Sequence, residues 1–317
     1  KNLIINGGFD VWQRGTSFAS ISDDGYSADR FKHFNASATT TTSQQLFTNG
    51  QTEVPLQPTY FSRSSISANT NSSSYSILAQ HIEDVRVGSG QTVTVSFWAK
   101  SSVSGNKIGV EFNQTFGSGG SARVTSTGGA EAVTLSTTWQ KFTITKEIGS
   151  VAGKTIGASS FFEMYLWMTA GSSWNTRSAT IGNQSGDFDV ANVQLELGSV
   201  ATDFEHRSYG EELALCQRYY QKVSGTFSMI GSHWGTVSFC SYHMPVTMRA
   251  LPTFLVSTAN AFQVFGSNNS APISTALALS VAGKDSCELQ VTNTNTASSA
   301  FIRFTASSDW FSLDAEL

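Results

Sequence analysis

Charge is scarce in this chain. Only 13% of its 317 residues are Asp, Glu, Lys or Arg, where soluble domains usually carry roughly 25%. The net charge is −4 and Lys and Arg do not cluster. A partner that releases counterions from nucleic acid needs such a cluster, so nucleic acid is excluded. Long apolar runs are missing too. The longest, Phe161 to Ala170, is interrupted by Glu163 and is too short to cross a bilayer. Three cysteines (Cys216, Cys240 and Cys287) cannot make a disulfide framework, and no CxxC or HxxxH spacing points to zinc. Cys216 and Cys240 read as small core residues, while a Cys240–Cys287 bridge stays geometrically open. Only five prolines occur; Pro245 and Pro252 bracket a turn or edge segment, because proline cannot serve a central ladder. The chain starts at Lys1 with no signal-peptide pattern, so a processed, truncated or partial polypeptide is expected.

Neutral polar and aromatic side chains take the place of charge. Ser and Thr make up roughly a quarter of the chain, beside 27 Gly, 22 Phe and 7 Trp. That mixture suits short strands joined by tight turns, and it is too apolar for disorder. From Thr92 to Lys100, Val93, Val95, Phe97 and Ala99 share one face and Thr94, Ser96, Trp98 and Lys100 the other. Lys107 to Gln114, Trp139 to Ile148, Phe161 to Met168 and Asp187 to Leu197 also read as strands between Gly-rich turns. Beyond Ser224, six more runs read as strands: Trp234–Met244, Ala261–Phe265, Ala276–Val281, Cys287–Thr292, Ala300–Ala306 and Trp310–Leu317. One helix interrupts them, over Glu211 to Lys222. Ser208 and Glu211 have the spacing of a capping box, and Leu213, Cys216 and Tyr220 form an apolar stripe. The fold class is therefore all-β. A jelly-roll β-sandwich is expected over 1–207, a junction helix over 208–223 and a small C-terminal β-sandwich over 224–317.

The opening Asn2-Leu-Ile-Ile-Asn-Gly-Gly-Phe-Asp-Val-Trp-Gln-Arg-Gly-Thr16, with Tyr26-Ser-Ala-Asp-Arg-Phe31 after it, resembles β-sandwich domains of bacteriophage tail-fibre and appendage proteins. So do Val193 to Arg207, the helix, and the terminal Asp314-Ala-Glu-Leu317, in the same order along nearly the whole chain. Asn6-Gly-Gly-Phe9, Ser96-Phe-Trp-Ala-Lys100 and Phe188-Asp-Val-Ala-Asn-Val193 are similar, more distantly, to jelly-roll carbohydrate-binding modules. The resemblance implies an extracellular virion protein, homotrimeric, held by other virion proteins and binding host surface polysaccharide. It departs from the family in having no β-helical repeat or fibrous stalk. The alternative is a capsid-attached or collar fibre or decoration protein with a purely structural role. No cofactor is expected, although such modules often hold a structural calcium where Asp10 and Asp189 would lie here. Asp is equally an ordinary turn residue.

Glycan binding needs aromatic faces for the apolar side of a ring and nearby polar groups for its hydroxyls. Glu163, Tyr165 and Trp167 alternate onto one strand face, and Trp174 and Asn175 fall in the next turn. These five are the candidate carbohydrate-binding residues, although a Tyr/Trp row can equally pack under a loop. Leu213 and Tyr220 are the candidate oligomer contacts. Hydrolysis would need two carboxylates roughly 5 to 10 Å apart. Glu163 could pair with Glu111 or with Glu131, but sequence does not fix the separation, and the clustered Asp23-Asp24 reads better as turn chemistry. His33, His81, His206, His233 and His243 follow no catalytic motif, so no enzyme is expected.

Overall fold

The computed structural model describes all residues except 226–227, 259–261, 267–268, 273–276, 293–298 and 305–307. The ends of three expected strands, at Ala261, Ala276 and Ala306, lie outside the described residues. The chain divides into two compact units, Lys1–Glu212 with Leu317, and Leu213–Glu316.

Twelve strands build the first unit. They begin with β1 (Ser17–Phe18), β2 (Gly25–Tyr26), β3 (Lys32–Ala36), β4 (Thr40–Leu46), β5 (Tyr60–Ile66) and β6 (Tyr75–Ile82). They continue with β7 (Thr92–Ser101), β8 (Lys107–Thr115), β9 (Glu131–Thr134), β10 (Gln140–Glu147), β11 (Phe161–Ala170) and β12 (Gly186–Leu197). A first sheet runs β1-β4-β5-β12-β7-β10 and a second β2-β3-β6-β11-β8-β9. The neighbouring strands pair antiparallel, the layout of a jelly-roll sandwich. The period-two alternation of the sequence decides what lies between the sheets. Val93, Val95, Phe97 and Ala99 from the first sheet meet Val110, Phe112, Phe162, Met164 and Leu166 from the second, all buried in one core.

The N-terminal motif closes this sandwich. Asn2 Oδ1 accepts the backbone N–H groups of Ile4 (2.9 Å) and Leu195 (3.0 Å). Gln80, pointing inward, holds Ile5 at both N–H and C=O, each at 2.8 Å. Gly7 must be glycine, since a Cβ there would sit 2.0 Å from the Val193 carbonyl oxygen. Arg207 is largely covered: its guanidinium donates to the carbonyls of Asn2 (2.7 Å) and Ile4 (3.1 Å) and to Glu205 and Glu212.

The second unit is a small sandwich as well. A helix, α2, spans Tyr209–Gln217 at its entry; a shorter one, α1, spans Asn175–Ser178 in the first unit. The capping box of α2 forms, with Glu211 N–H on Ser208 Oγ (3.3 Å) and Ser208 N–H on Glu211 Oε2 (2.9 Å). The helix is shorter than expected. Tyr220–Ser224 is a strand paired with Trp310–Asp314, whose ladder satisfies backbone groups that a longer helix would have bonded internally. A sheet of three strands and one of seven enclose Met229, Cys240, Leu289, Phe311 and Leu313. Cys216, Cys240 and Cys287 are all buried and none is in a disulfide, so the Cys240–Cys287 bridge does not form. Burial pushes the Cys240 thiol up to about 12 and Cys287 to about 11. Tyr220, expected at an oligomer contact, is buried, and Leu213 is half-buried in α2.

Candidate functional site

On β11 the side chains of Phe162, Met164, Leu166 and Met168 go to the core, so Phe161, Glu163, Tyr165 and Trp167 face outward from the second sheet. Register places Glu163 between Asn113 and His81, Tyr165 between Glu111 and Ala79, and Trp167 between Gly109 and Ile77. The expected shared face exists. Its two ends differ, because the segment after β11 folds back over only one of them.

At the Trp167 end, α1 packs so closely that a Cβ on Gly109 would lie 2.4 Å from the Ser178 carbonyl oxygen. Arg177 of that helix donates to Glu111 through Nε and Nη2, at 2.7 and 3.0 Å. Trp167 Nε1 (3.0 Å) and Ser126 Oγ (2.7 Å) donate to the same carboxylate. The guanidinium carbon also stands 5.4 Å from the Trp167 ring centroid and 5.8 Å from that of Trp174. Trp174 donates to the Ser73 carbonyl (3.0 Å) and meets Tyr75 edge-on at 5.1 Å. Glu111 is 0% exposed and Trp167 1%. This end is a small second core with a paired buried charge, and no ligand ring can reach Trp167.

The Phe161 end is open. Phe161 stacks on His81 at 4.2 Å, and Phe34 leans on Tyr165 at 5.3 Å. Together these rings floor a shallow groove of about 310 Å³, rimmed by Asp24, Lys32, Thr115, Arg123 and Glu163. Arg123 bonds Glu163 and donates to the Tyr165 hydroxyl at 2.9 Å, while Thr115 donates to Glu163 at 2.6 Å. Lys32 pairs with Asp24 at 2.7 Å, and at this edge the Leu317 carbonyl accepts from Tyr26 (3.0 Å). Burial raises the Tyr165 phenol far above its ordinary range, with the Glu163 charge adding to it. Burial, then the Lys32 charge, holds His81 well below the usual histidine value, so its ring is neutral. The groove offers half-exposed aromatic surface beside fixed donors and acceptors.

Of the five residues singled out in the sequence, Glu163 and Tyr165 line the groove. Trp167 is sealed, Trp174 is half-buried against Tyr75, and Asn175 is exposed on α1 with its carbonyl closing the turn to Thr180 N–H at 2.9 Å. Phe34, His81, Arg123 and Phe161 were missed. Phe161 was within reach, since it shares the alternation of Glu163 and Tyr165. Arg123 was not, since a loop places it. Asp189 does not fit a calcium site with Asp10, because its carboxylate is held by Arg63 at 2.7 and 2.8 Å. No group of three or more His, Cys, Asp or Glu that could hold a metal occurs among the described residues.

No family model and no curated protein matches the chain. Among solved structures it is similar to one described as "CBM4 structure and function", at 16% identity and a TM-score of 0.36, covering 61% of this chain and 98% of that one. It is similar to the family 11 carbohydrate-binding module from Clostridium thermocellum in complex with a β-1,3-1,4-mixed-linked tetrasaccharide: 16% identity, TM-score 0.35, 59% of this chain and 99% of that one. A third likeness is to the enzymatically active domain of bacteriophage CBA120 tailspike protein 4, at 11% identity and TM-score 0.35, over 62% of this chain and 21% of that one. At these values the likenesses carry no argument about what the chain binds.

Proposed function

We propose that this chain is a non-catalytic glycan-binding protein of a phage particle, a tail-fibre or appendage adhesin that holds host surface polysaccharide in the Phe34–Phe161 groove. The observation that carries the reading is the groove itself: an aromatic floor beside a rim of fixed charged and hydroxyl groups. Aromatic faces cover the apolar side of a sugar ring, and Arg123, Glu163, Asp24 and Thr115 supply donors and acceptors for its hydroxyls. The carboxylates that might have formed a hydrolytic pair are each engaged by a cation: Glu111 by Arg177, Glu163 by Arg123 and Glu131 by Lys146. The virion setting rests on the resemblance of Asn2–Thr16 and Val193–Arg207 to phage appendage proteins.

A shallow groove of this kind binds weakly, roughly millimolar or about −4 kcal/mol. Several copies on one particle raise the avidity by roughly 10² to 10⁴, so a homotrimer is part of the proposal. The experiment is retention on an array of bacterial surface polysaccharides, comparing the full chain with Phe161→Ala and Arg123→Ala. The wild type should retain at least one glycan, and each variant should lose roughly tenfold or more. No retained glycan, or variants that retain it as well as the wild type, would overturn the reading. The purely structural fibre is the reading that an empty array would leave standing.

A further inference from the structure

The opposite face of the sandwich carries a second concavity that the groove does not explain. It lies on the first sheet, where β12 crosses β7, and it starts from a fault in alternation. Val190 and Val193 both point into the core although three positions apart. The register between β12 and β7 shifts between Ala191 and Gln194, and Asn192 adopts a left-handed conformation with φ 48°. Such a bulge re-aims a side chain, and asparagine is among the few residues that tolerate this backbone region. Ala191 packs outside the main core, with Phe61 and Trp139. Asn192 turns into a cavity of about 220 Å³ that it shares with Ser96, Trp98, Lys141, Asp203 and Phe204.

Asn192 is only 4% exposed, yet its Oδ1 meets no donor within the protein. A buried acceptor left without a partner costs about 1 to 3 kcal/mol, and buried polar groups are rarely left so. Beside it, the half-buried Trp98 ring is backed by the aromatic cluster of Phe61 and Trp139 and cannot retreat. Lys141, on the next strand, directs its ammonium toward the Thr202 carbonyl at 3.4 Å, and Asp203 is exposed at the mouth. The cavity is smaller than the roughly 300 Å³ at which sites for drug-sized ligands begin, so its ligand is small.

We infer that this cavity is a second ligand site, taking a single neutral polyhydroxylated ring such as a monosaccharide unit. One hydroxyl donates to Asn192 Oδ1, the apolar ring face lies on Trp98, and Asp203 and Lys141 take further hydroxyls at the entrance. Lys141 disfavours a cationic ligand, and Asp203 disfavours an anionic one. The inference is independent of the Phe34–Phe161 groove, which lies on the other sheet.

The test uses the isotope-labelled full chain titrated by NMR with glucose, galactose and N-acetylglucosamine at tens of millimolar. The signals followed are the Trp98 indole N–H and the Asn192 side-chain amide. At least one sugar should shift both signals in the wild type and equally in Phe161→Ala, which separates this site from the groove. Asn192→Gly keeps the left-handed backbone and removes the acceptor, so the Trp98 shift should then require roughly tenfold more sugar. Asn192→Asp, which keeps an acceptor, should retain binding. No shift at Trp98 or Asn192 with any of the three sugars would mean that water alone fills the cavity. A titration unchanged in Asn192→Gly would equally overturn the inference.

Discussion

The two ends of the outer face of the second sheet are built from the same residue types, and they do different things. Each sets an arginine from a loop or short helix onto a strand carboxylate beside a large aromatic ring: Arg177 with Glu111 and Trp167, Arg123 with Glu163 and Tyr165. At the first, α1 lies over the strands and the carboxylate is 0% exposed. At the second, the Glu163 side chain is also nearly buried at 3%, but Arg123 is 35% exposed against 23% for Arg177, and the rings of Phe34 and Phe161 are left partly uncovered. The chemistry of the residues does not separate a plug from a binding rim. Cover does, because it decides whether a ligand reaches the aromatic rings beside the pair.

That contrast is broken most severely by Arg177→Ala. Removing one partner of a buried pair leaves an uncompensated charge on Glu111, and a loss of about 3 to 5 kcal/mol is expected. Denaturant melts of the first unit's signals measure it; a loss below about 1 kcal/mol would show that the pair is not sealed from water.

Acid gives the next effect. His33 is buried against Ser27 Oγ at 2.7 Å, and burial pushes it down to about 3, while His81 beneath the groove is lowered in the same direction. Each is neutral in the folded chain and takes up a proton on unfolding near its ordinary value of about 6.5. The unfolded state therefore binds more protons between about pH 6.5 and pH 3. Stability is full above that window and falls within it by up to ~1.4 kcal/mol per pH unit for each histidine. In melts across pH, a His33→Asn variant should flatten part of this slope; an unchanged slope would remove His33 as its source.

A smaller effect on stability is expected from Arg123→Ala, about 1 to 3 kcal/mol, because Glu163 is buried with the arginine in place but faces an open groove where water can replace the guanidinium. Its effect on glycan retention should be the larger one. Equal stability losses in Arg123→Ala and Arg177→Ala would erase the distinction between rim and plug.

The sequence made the strand face legible and left its cover unseen. Alternation over Phe161–Met168 told which side chains leave the core, and the Ser208–Glu211 spacing told where a helix starts. Neither signal reports that residues after Ala170 turn back to place Arg177 on Glu111, since that contact joins positions 66 apart. A tryptophan row therefore looked like a sugar platform when it was the roof of a second small core. The end of the helix is hidden from the sequence for a related reason. Tyr219, Tyr220 and Val223 suit a strand as well as a helix, and only pairing with Trp310–Asp314 decides between them. Asn2 and Asn6 belonged to a recognisable motif, and the structure gives the motif a physical job. Asn6, with φ 61°, donates to the carbonyls of Val11 (2.8 Å) and Asp29 (3.0 Å) and so fixes the first turn.

The central claim is that the open end of this face holds sugar and the sealed end does not. An oligosaccharide cut from whichever polysaccharide the array retains, titrated into the labelled full chain, examines both ends in one NMR series. The account predicts shifts concentrated on Phe34, His81, Arg123 and Phe161, with the Trp167 and Trp174 indoles still. Shifts confined to Trp167 and Trp174, or none at Phe161 under saturating sugar, would contradict it.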